Sequence, residues 1–151
     1  MVTKVREDGR IRTRGLLLAF GVNKDGYREL LGLHVGDSES EASWSEFFAS
    51  LKQRGLRGVE LIVSDQHSGL VKAIRTHYQG ATWQRCQTHF MRNIMDKTPK
   101  ALKDELYSKL RAILDAPDIQ TARLLFSKTV ETYQDKIPKA METLENGFDD
   151  A

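Results

Sequence analysis

The sequence predicts an α/β fold in which a mixed sheet with packed helices is followed by an all-helical region. Up to about residue 86, apolar runs alternate with helical patterns in the order β-β-α-β-α-β, which is typical of a mixed sheet covered by helices. From residue 87 onward every pattern is helical. We therefore divide the chain into a partial core, residues 1–86, and a helical region, residues 87–151.

The first two predicted strands form a hairpin. Arg14–Val22 and Tyr27–Val35 are apolar runs, and the Asn-Lys-Asp-Gly stretch at 23–26 contains the Asp-Gly pair of a tight turn. The preceding segment, Thr3–Thr13, is too polar and too charged to be a central strand. The hairpin is thus the first secondary structure that the pattern indicates.

The next predicted element is the helix with the strongest pattern in the chain. Ser38 and Glu41 have the spacing of a capping box, and Gly55 is a natural stop. Between them, apolar residues recur at helical spacing on one face: Trp44, Phe47, Phe48 and Leu51.

The remaining pattern alternates before it becomes helical. Val59–Ser64 is predicted to be a buried strand, Ser68–Tyr78 a helix and Thr82–Cys86 a short strand. Four helices follow: one from about Thr88 to Lys97, one opened by Thr98-Pro99, one opened by Asp118 and one after Pro138.

Composition narrows the class of protein. The formal net charge of 151 residues is only +2, so there is no broad basic field, although arginines cluster at Arg6, Arg10, Arg12 and Arg14. The single cysteine excludes an internal disulfide, and no apolar run approaches the ~20 residues of a membrane span. We expect a cytoplasmic protein.

Asp65 is the sharpest candidate for a functional residue. It follows the predicted strand Val59–Ser64 directly and leads into a helix. Folds of the α/β class place ligands and catalytic groups at the carboxyl ends of strands. The alternative is that Asp65 only caps the helix that begins near Ser68.

Cys86 and His89 form the second candidate pair. Their C-x2-H spacing is half of a zinc site, but zinc needs about four ligands and no second cysteine exists. A nucleophilic cysteine–histidine pair and a simple packed cysteine are the alternatives, and we favour the packed cysteine. Arg85 and Arg92 flank this segment and could contact phosphates.

The order of elements matches the ribonuclease H-like arrangement, except that this fold needs one more strand ahead of the hairpin. That strand lies centrally, between the hairpin and the strand that ends at Asp65. Without it two sheet edges are left unpaired, which is unfavourable. We therefore expect either an association-prone chain or a substitute strand from Val2–Arg6.

Four segments together resemble the prokaryotic mutator-family transposases, which are DDE-type enzymes. They are Lys4–Arg10 (KVREDGR), Gly36–Trp44 (GDSESEASW), Val63–Leu70 (VSDQHSGL) and Trp83–Asn93 (WQRCQTHFMRN). The resemblance implies a ribonuclease H-like core with a helical insertion after the fifth strand. In that family an Asp-Asp-Glu triad holds two divalent ions, normally Mg²⁺, for DNA cleavage and strand transfer.

Carried over to this sequence, the resemblance assigns few residues. It implies that Asp65 is the second catalytic Asp and a metal ligand, and that Cys86 and His89 are signature residues of unknown role. Gln66 departs from the small or acidic residue that is usual there. The first Asp is expected upstream of residue 1 and the Glu beyond residue 151, so we expect a truncated catalytic domain that is inactive alone. The alternative is an inert remnant that binds DNA or intact transposase.

Overall fold

The computed structural model describes residues 2–36 and 40–151, and this part of the chain is a mixed α/β structure with six α-helices and two small sheets. The strands are β1 (Val2–Glu7), β2 (Arg10–Val22), β3 (Arg28–Gly36), β4 (Leu61–Ser64) and β5 (Thr82–Arg85). The helices are α1 (Glu41–Gln53), α2 (Ser68–His77), α3 (Gln87–Asp96), α4 (Lys103–Leu114), α5 (Ile119–Tyr133) and α6 (Pro138–Glu145).

The chain divides into two compact units. Unit 1 contains Met1–Ile62 and Gln66–Thr82, and unit 2 contains Val63–Asp65 and Trp83–Ala151. Hydrogen bonds join β1, β2 and β3 into one sheet in that order and β4 and β5 into another. The described strands thus form two sheets where the sequence analysis expects one mixed sheet.

A strand precedes the hairpin, although the sequence pattern indicates none there. β1 pairs antiparallel with the first half of β2, from Val2 opposite Gly15 to Glu7 opposite Arg10. Asp8 and Gly9 connect them with positive φ angles of 49° and 75°, as a two-residue turn between antiparallel strands requires. β1 is an edge strand of its sheet, and edges tolerate charged side chains because one side faces solvent. The N-terminal segment thus forms a strand, as one of the two expectations has it, but this strand lies at an edge and does not pair with β4, so it does not take the central position.

The predicted hairpin is confirmed, with β2 extended back to Arg10. The turn is held by the Asn23 side chain, whose Oδ1 accepts hydrogen bonds from the amides of Asp25 and Tyr27 at 3.0 Å each. A β-bulge interrupts the pairing of β2 with β3 between Ala19 and Phe20. The Asn23 side chain, which belongs to the stretch from which the turn is predicted, therefore also stabilises the turn.

The two faces of this sheet differ in exposure. Leu17 is fully buried on the face that contacts α1, and β3 approaches that helix so closely that a Cβ on Gly32 would lie 2.9 Å from Leu51 Cδ2. The opposite face, which we call the open face, carries apolar side chains that are 38–63% exposed: Leu18, Phe20, Leu30 and Leu33. Unit 1 thus covers its sheet on one side.

Helix α1 covers this face, and α2 packs against α1. The N-cap of α1 is Ser40, whose Oγ accepts a hydrogen bond from the Ser43 amide at 3.2 Å. The predicted cap, Ser38, lies outside the described residues. Phe48 of α1 contacts the ring of Tyr78 edge-on, with 5.2 Å between centroids, at the end of α2. Aromatic contacts therefore stabilise the packing of α1 against the end of α2.

The second sheet consists of β4 and β5. The amide of Thr82 donates to the Glu60 carbonyl, and the amide of Cys86 donates to the Ser64 carbonyl. Residue numbers increase in the same direction on both strands, so the strands are parallel. The prediction of a buried β4 is wrong, because Leu61 and Val63 are 53% and 54% exposed. This strand pairs with one neighbour among the described strands, which leaves part of its surface uncovered.

Unit 2 contains the helical region, which encloses one apolar core. Its most deeply buried members come from α3, α4, α5 and α6: Ile94, Leu106, Leu110, Tyr133, Met141 and Leu144. Asp118 caps α5 by accepting a hydrogen bond from the Thr121 amide at 2.8 Å, and Pro138 occupies the first turn of α6. No helix within the described ranges is both long and apolar enough to cross a membrane.

Candidate functional site

Asp65 is exposed and directly follows the last residue of β4. The hydroxyl of Ser64 organises this strand end, because it donates to the Asp65 carbonyl at 2.9 Å and accepts from Trp83 Nε1 at 2.9 Å. The N-cap residue of α2 is His67, so Asp65 is not the cap of that helix.

The end of β5 lies beside the end of β4. The Cys86 amide donates to the Ser64 carbonyl at 2.7 Å, which places Arg85 and Cys86 next to the residue that precedes Asp65. Parallel strands carry their carboxyl ends to the same edge of a sheet. Asp65, Arg85 and Cys86 thus share one edge of the β4–β5 pair, within unit 2.

Arg85 is the least expected residue of this edge. Its side chain is only 4% exposed, and its guanidinium carbon lies 4.5 Å from the centroid of the Phe90 ring. Burial lowers the pKa of Arg85, while the carboxylates of Asp65 and Asp150 act in the opposite direction. The expectation that Arg85 contacts phosphates is wrong, because a side chain this deeply buried cannot present its charge to a polyanion. Arg92 is exposed.

The final residues of the chain return to the same strand. We call Gly147–Ala151 the return segment. The amide of Arg85 donates to the Asp150 carbonyl at 2.6 Å, and the side-chain amides of Gln84 and Gln87 donate to the Ala151 carbonyl at 3.0 and 3.3 Å. The helical region therefore leaves β5 at α3 and comes back to β5 at its end.

Two contacts shape the return segment. Phe148 stacks on Phe126 of α5 with 4.4 Å between ring centroids. Gly147 passes so close to the site that a Cβ there would overlap the Arg85 guanidinium and lie 2.6 Å from Phe90 Cε2. Only glycine fits at this point, since any side chain would displace the guanidinium or the ring.

Cys86 and His89 lie at the start of α3. Cys86 is the N-cap residue, a half-buried free thiol that makes no side-chain cap hydrogen bond. The Nδ1 atom of His89 is buried and has no hydrogen-bond partner within the described residues. A buried nitrogen without a partner is costly, so this histidine is a candidate for binding a ligand or a proton.

The carboxylates here do not make a complete metal centre. Mg²⁺ prefers oxygen ligands, and a two-metal site needs several carboxylates. Asp65 and Asp150 are the carboxylates that act on Arg85, and the described part of the chain contains no group of three or more His, Cys, Asp or Glu side chains with metal-binding geometry. The residues present fit one ligand of such a centre rather than the whole.

Sequence reasoning missed Arg85 and Asp150 as partners. A lone arginine beside a cysteine has no periodic signal, and Asp150 is far from it along the chain. Asp65, Cys86 and His89, in contrast, were singled out by spacing and position.

Comparison with known proteins agrees with the resemblance seen in the sequence. Residues 1–151 match the family model described as transposase, Mutator family. The chain is 42% identical over 150 residues to the transposase for insertion sequence element IS256 in transposon Tn4001 of Staphylococcus aureus, covering 98% of this chain and 38% of that relative.

Two further relatives match at similar levels. The transposase for insertion sequence element IS1081 of Mycobacterium tuberculosis is 41% identical over 99% of this chain and 36% of its own length. The transposase for insertion sequence element IS406 of Burkholderia multivorans is 37% identical over 96% of this chain and 38% of its own length. The chain thus spans less than two fifths of these relatives. With the whole chain matched by the family model and by relatives of this kind, it belongs to the mutator family of transposases.

Proposed function

We propose that this chain forms part of the ribonuclease H-like catalytic core of a transposase that cleaves and joins DNA, with Asp65 as one of its acidic metal ligands. Family membership carries the proposal. The exposed carboxylate of Asp65 at the end of β4 supports the assignment of the residue, since this is where α/β folds place catalytic groups.

One part of the strand pairing supports the ribonuclease H-like part of the proposal. That arrangement requires a central strand between the hairpin and the strand that ends at the second acid, and a parallel pair whose first strand ends at that acid. β4 with β5 meets the second requirement, whereas β1 pairs with β2 and with no other described strand. The division into a core, residues 1–86, and a helical insertion, residues 87–151, belongs to the same proposal.

Mg²⁺ is the cofactor that the family implies, and when bound in pairs such ions activate the attacking oxygen and stabilise the leaving oxygen of a phosphodiester. The described residues supply Asp65 for this purpose and too few other ligands. We therefore expect the isolated chain to be inactive on transposon-end DNA in Mg²⁺ or Mn²⁺. Metal-dependent nicking that disappears in Asp65→Ala would contradict this expectation.

A chimera tests the role of Asp65 directly. Residues 1–151 would replace the matching segment of the Staphylococcus aureus relative, and excision of a marked element would be counted in cells. Asp65→Asn removes one charge at the strand end and is expected to abolish excision. Asp96→Asn removes one charge from the exposed end of α3 and is expected to preserve it. Excision by the Asp65→Asn chimera at the level of the Asp96→Asn chimera would refute the proposal.

For Cys86 and His89 we propose no zinc site. Two ligands one helical turn apart are too few for stoichiometric zinc, which needs about four. Elemental analysis of protein purified without chelators is expected to give well below one zinc per chain. A ratio near one that falls in Cys86→Ser would reverse this view.

A second candidate function is DNA binding without catalysis, and the β1–β2 hairpin is the observation that favours it. Alternate residues of a strand share a face, so Arg10, Arg12 and Arg14 lie on one face of β2. Lys4 and Arg6 of β1 lie on the opposite face, opposite Thr13 and Ile11. A row of guanidinium groups is suited to phosphates of a nucleic-acid backbone.

The two faces offer a matched test. Arg10→Gln with Arg12→Gln removes two charges from the arginine row, and Lys4→Gln with Arg6→Gln removes two from the other face. We expect the first pair to weaken binding of a labelled duplex about tenfold and to reduce its salt dependence by about two units of slope. The second pair is expected to have a much smaller effect. Equal losses from both pairs would indicate nonspecific charge attraction and remove this candidate.

A further inference from the structure

The junction between the β4–β5 pair and the helical region is held by a buried cation. Arg85 is 4% exposed, and its Nε has no hydrogen-bond partner within the described residues. Removing a guanidinium from water costs several kcal/mol unless nearby groups compensate. An apolar side chain would fill the same space without that cost, so packing alone does not explain an arginine here.

The compensation comes from two carboxylates on separate segments. Asp65 follows β4 and Asp150 belongs to the return segment, and both favour the charged form of Arg85 against the effect of burial. The Phe90 ring provides a third favourable contact at 4.5 Å. One guanidinium thus interacts with the strand end, the return segment and α3, three parts of unit 2 that are distant along the chain.

The backbone shows what this interaction holds in place. The Arg85 amide donates to the Asp150 carbonyl, and the neighbouring Gln84 and Gln87 side chains bind the Ala151 carbonyl. Gly147 permits the close approach to the guanidinium. The Cys86 amide bonds Ser64 of β4, and successive amides of a strand point to opposite sides. The return segment is therefore docked on the side of β5 that faces away from β4, with the Arg85 guanidinium against Gly147.

We propose that Arg85 is a positioning residue whose charge docks the return segment onto β5, so that the helical region closes onto the strand that pairs with β4, the strand that ends at the proposed catalytic acid. The docking itself is independent of DNA cleavage. Only its importance for catalysis rests on the proposed function. The residue acts through Asp65 and Asp150 and does not touch substrate.

Hydrogen exchange of the Arg85 amide, measured by NMR on the whole chain, reports the docking directly, because this amide donates to Asp150. Arg85→Met keeps an unbranched apolar stem, although a shorter one, and removes the charge, and Arg85→Lys keeps the charge. We expect the exchange rate at residue 85 to rise at least about tenfold in the methionine variant and to recover in part in the lysine variant. The Cys86 amide, bonded to Ser64, is expected to keep its protection.

Asp150 and Asp149 provide a matched pair that does not disturb the core, since both are exposed. Asp150→Asn is expected to accelerate exchange at residue 85 as Arg85→Met does, and the double variant is expected to add little to either. Asp149→Asn, which removes an exposed ion pair with Arg123, is expected to leave this amide unchanged.

Three results would overturn the proposal: wild-type protection in Arg85→Met, equal acceleration in Asp149→Asn and Asp150→Asn, or fully additive effects in the double variant. If Arg85→Met does not fold, the aspartate pair alone decides between docking by charge and docking by packing. None of these measurements depends on DNA cleavage, so failure of the docking and failure of the proposed function are distinguishable.

Discussion

The two compact units bury their apolar residues in different ways. In unit 2, helices α3 to α6 surround a core whose central members, such as Leu106 and Met141, are fully buried. In unit 1, helices cover one face of a sheet, so that Leu17 is fully buried while Phe20, three residues away on β2, is 63% exposed. The helical unit is closed on itself, whereas the sheet unit has an apolar surface without a cover in the described part of the chain.

Helices and sheets differ in what they need in order to bury their apolar residues. An amphipathic helix buries its apolar face when other helices surround it, and unit 2 contains enough helices to do so. A sheet with apolar residues on both faces needs a layer on each side. Unit 1 has one such layer, formed by α1, and has fewer buried apolar side chains among the described residues than unit 2.

The largest effect is expected from the core of the helical unit. Leu106→Ala removes a fully buried side chain and should lower the free energy of unfolding by about 2–5 kcal/mol. Leu124→Ala, which truncates a 55% exposed leucine of α5, is the control and should cost little. Urea unfolding followed by circular dichroism measures both, and the indole N–H resonance of Trp44, followed by NMR apart from that of Trp83, reports unit 1. Loss of the Trp44 signal together with the helices would show that the units do not unfold independently.

Alkaline pH should act on the same core through Tyr133. Burial, with the Glu105 carboxylate adding to it, raises the pKa of Tyr133 to about 12. Between pH 10 and 12 the unfolded chain has lost this proton while the folded chain retains it, so stability present below pH 10 falls as pH rises. The loss should reach about 2 kcal/mol at pH 12. Tyr133→Phe should remove this part of the pH dependence, and an unchanged profile would argue against a buried tyrosine.

The N-cap residues of α1 and α5 allow a comparison of the two units in which the expected changes in stability are smaller. Ser40→Ala removes the cap of α1 and should cost about 1 kcal/mol at any pH. Asp118→Ala removes the cap of α5, where the hydrogen bonds to Thr121 lower the pKa of Asp118. Its contribution should therefore be present above pH 3.8 and be lost as pH falls through the lowered pKa. Thermal unfolding at pH 7 and pH 3 tests both, and a pH-dependent effect of Ser40→Ala would contradict the assignment.

The smallest effect on stability is expected on the open face. Phe20→Lys should change the free energy of unfolding by less than about 0.5 kcal/mol, because the side chain is already largely in water. It should nevertheless reduce self-association, since exposed apolar patches on sheets promote it. Leu124→Lys, the same kind of change on an exposed leucine of α5, is the control. Sedimentation velocity over a range of concentrations separates the two, and equal behaviour would mean that the open face does not drive association.

Much of the fold follows from local patterns. The hairpin turn at 23–26, the apolar face of α1 and the helices from residue 87 onward were predicted within a few residues, because turn chemistry, helical spacing and caps are encoded locally. β1 was not expected in the first instance, because a polar edge strand has no hydrophobic alternation to reveal it. The buried character assigned to β4 was wrong for a related reason: burial depends on what lies against a strand.

The residues of the candidate site also fall into two groups: those that local sequence patterns indicate and those that only the folded chain brings together. Asp65, Cys86 and His89 could be named as candidates from local patterns, since their positions after a strand and at a helix start are local features. The burial of Arg85, the return of the last residues to β5 and the place of Asp150 beside that arginine emerge only from the folded chain. The physical reason is that the cost of a buried charge, and the carboxylates that offset it, depend on segments far apart in the chain.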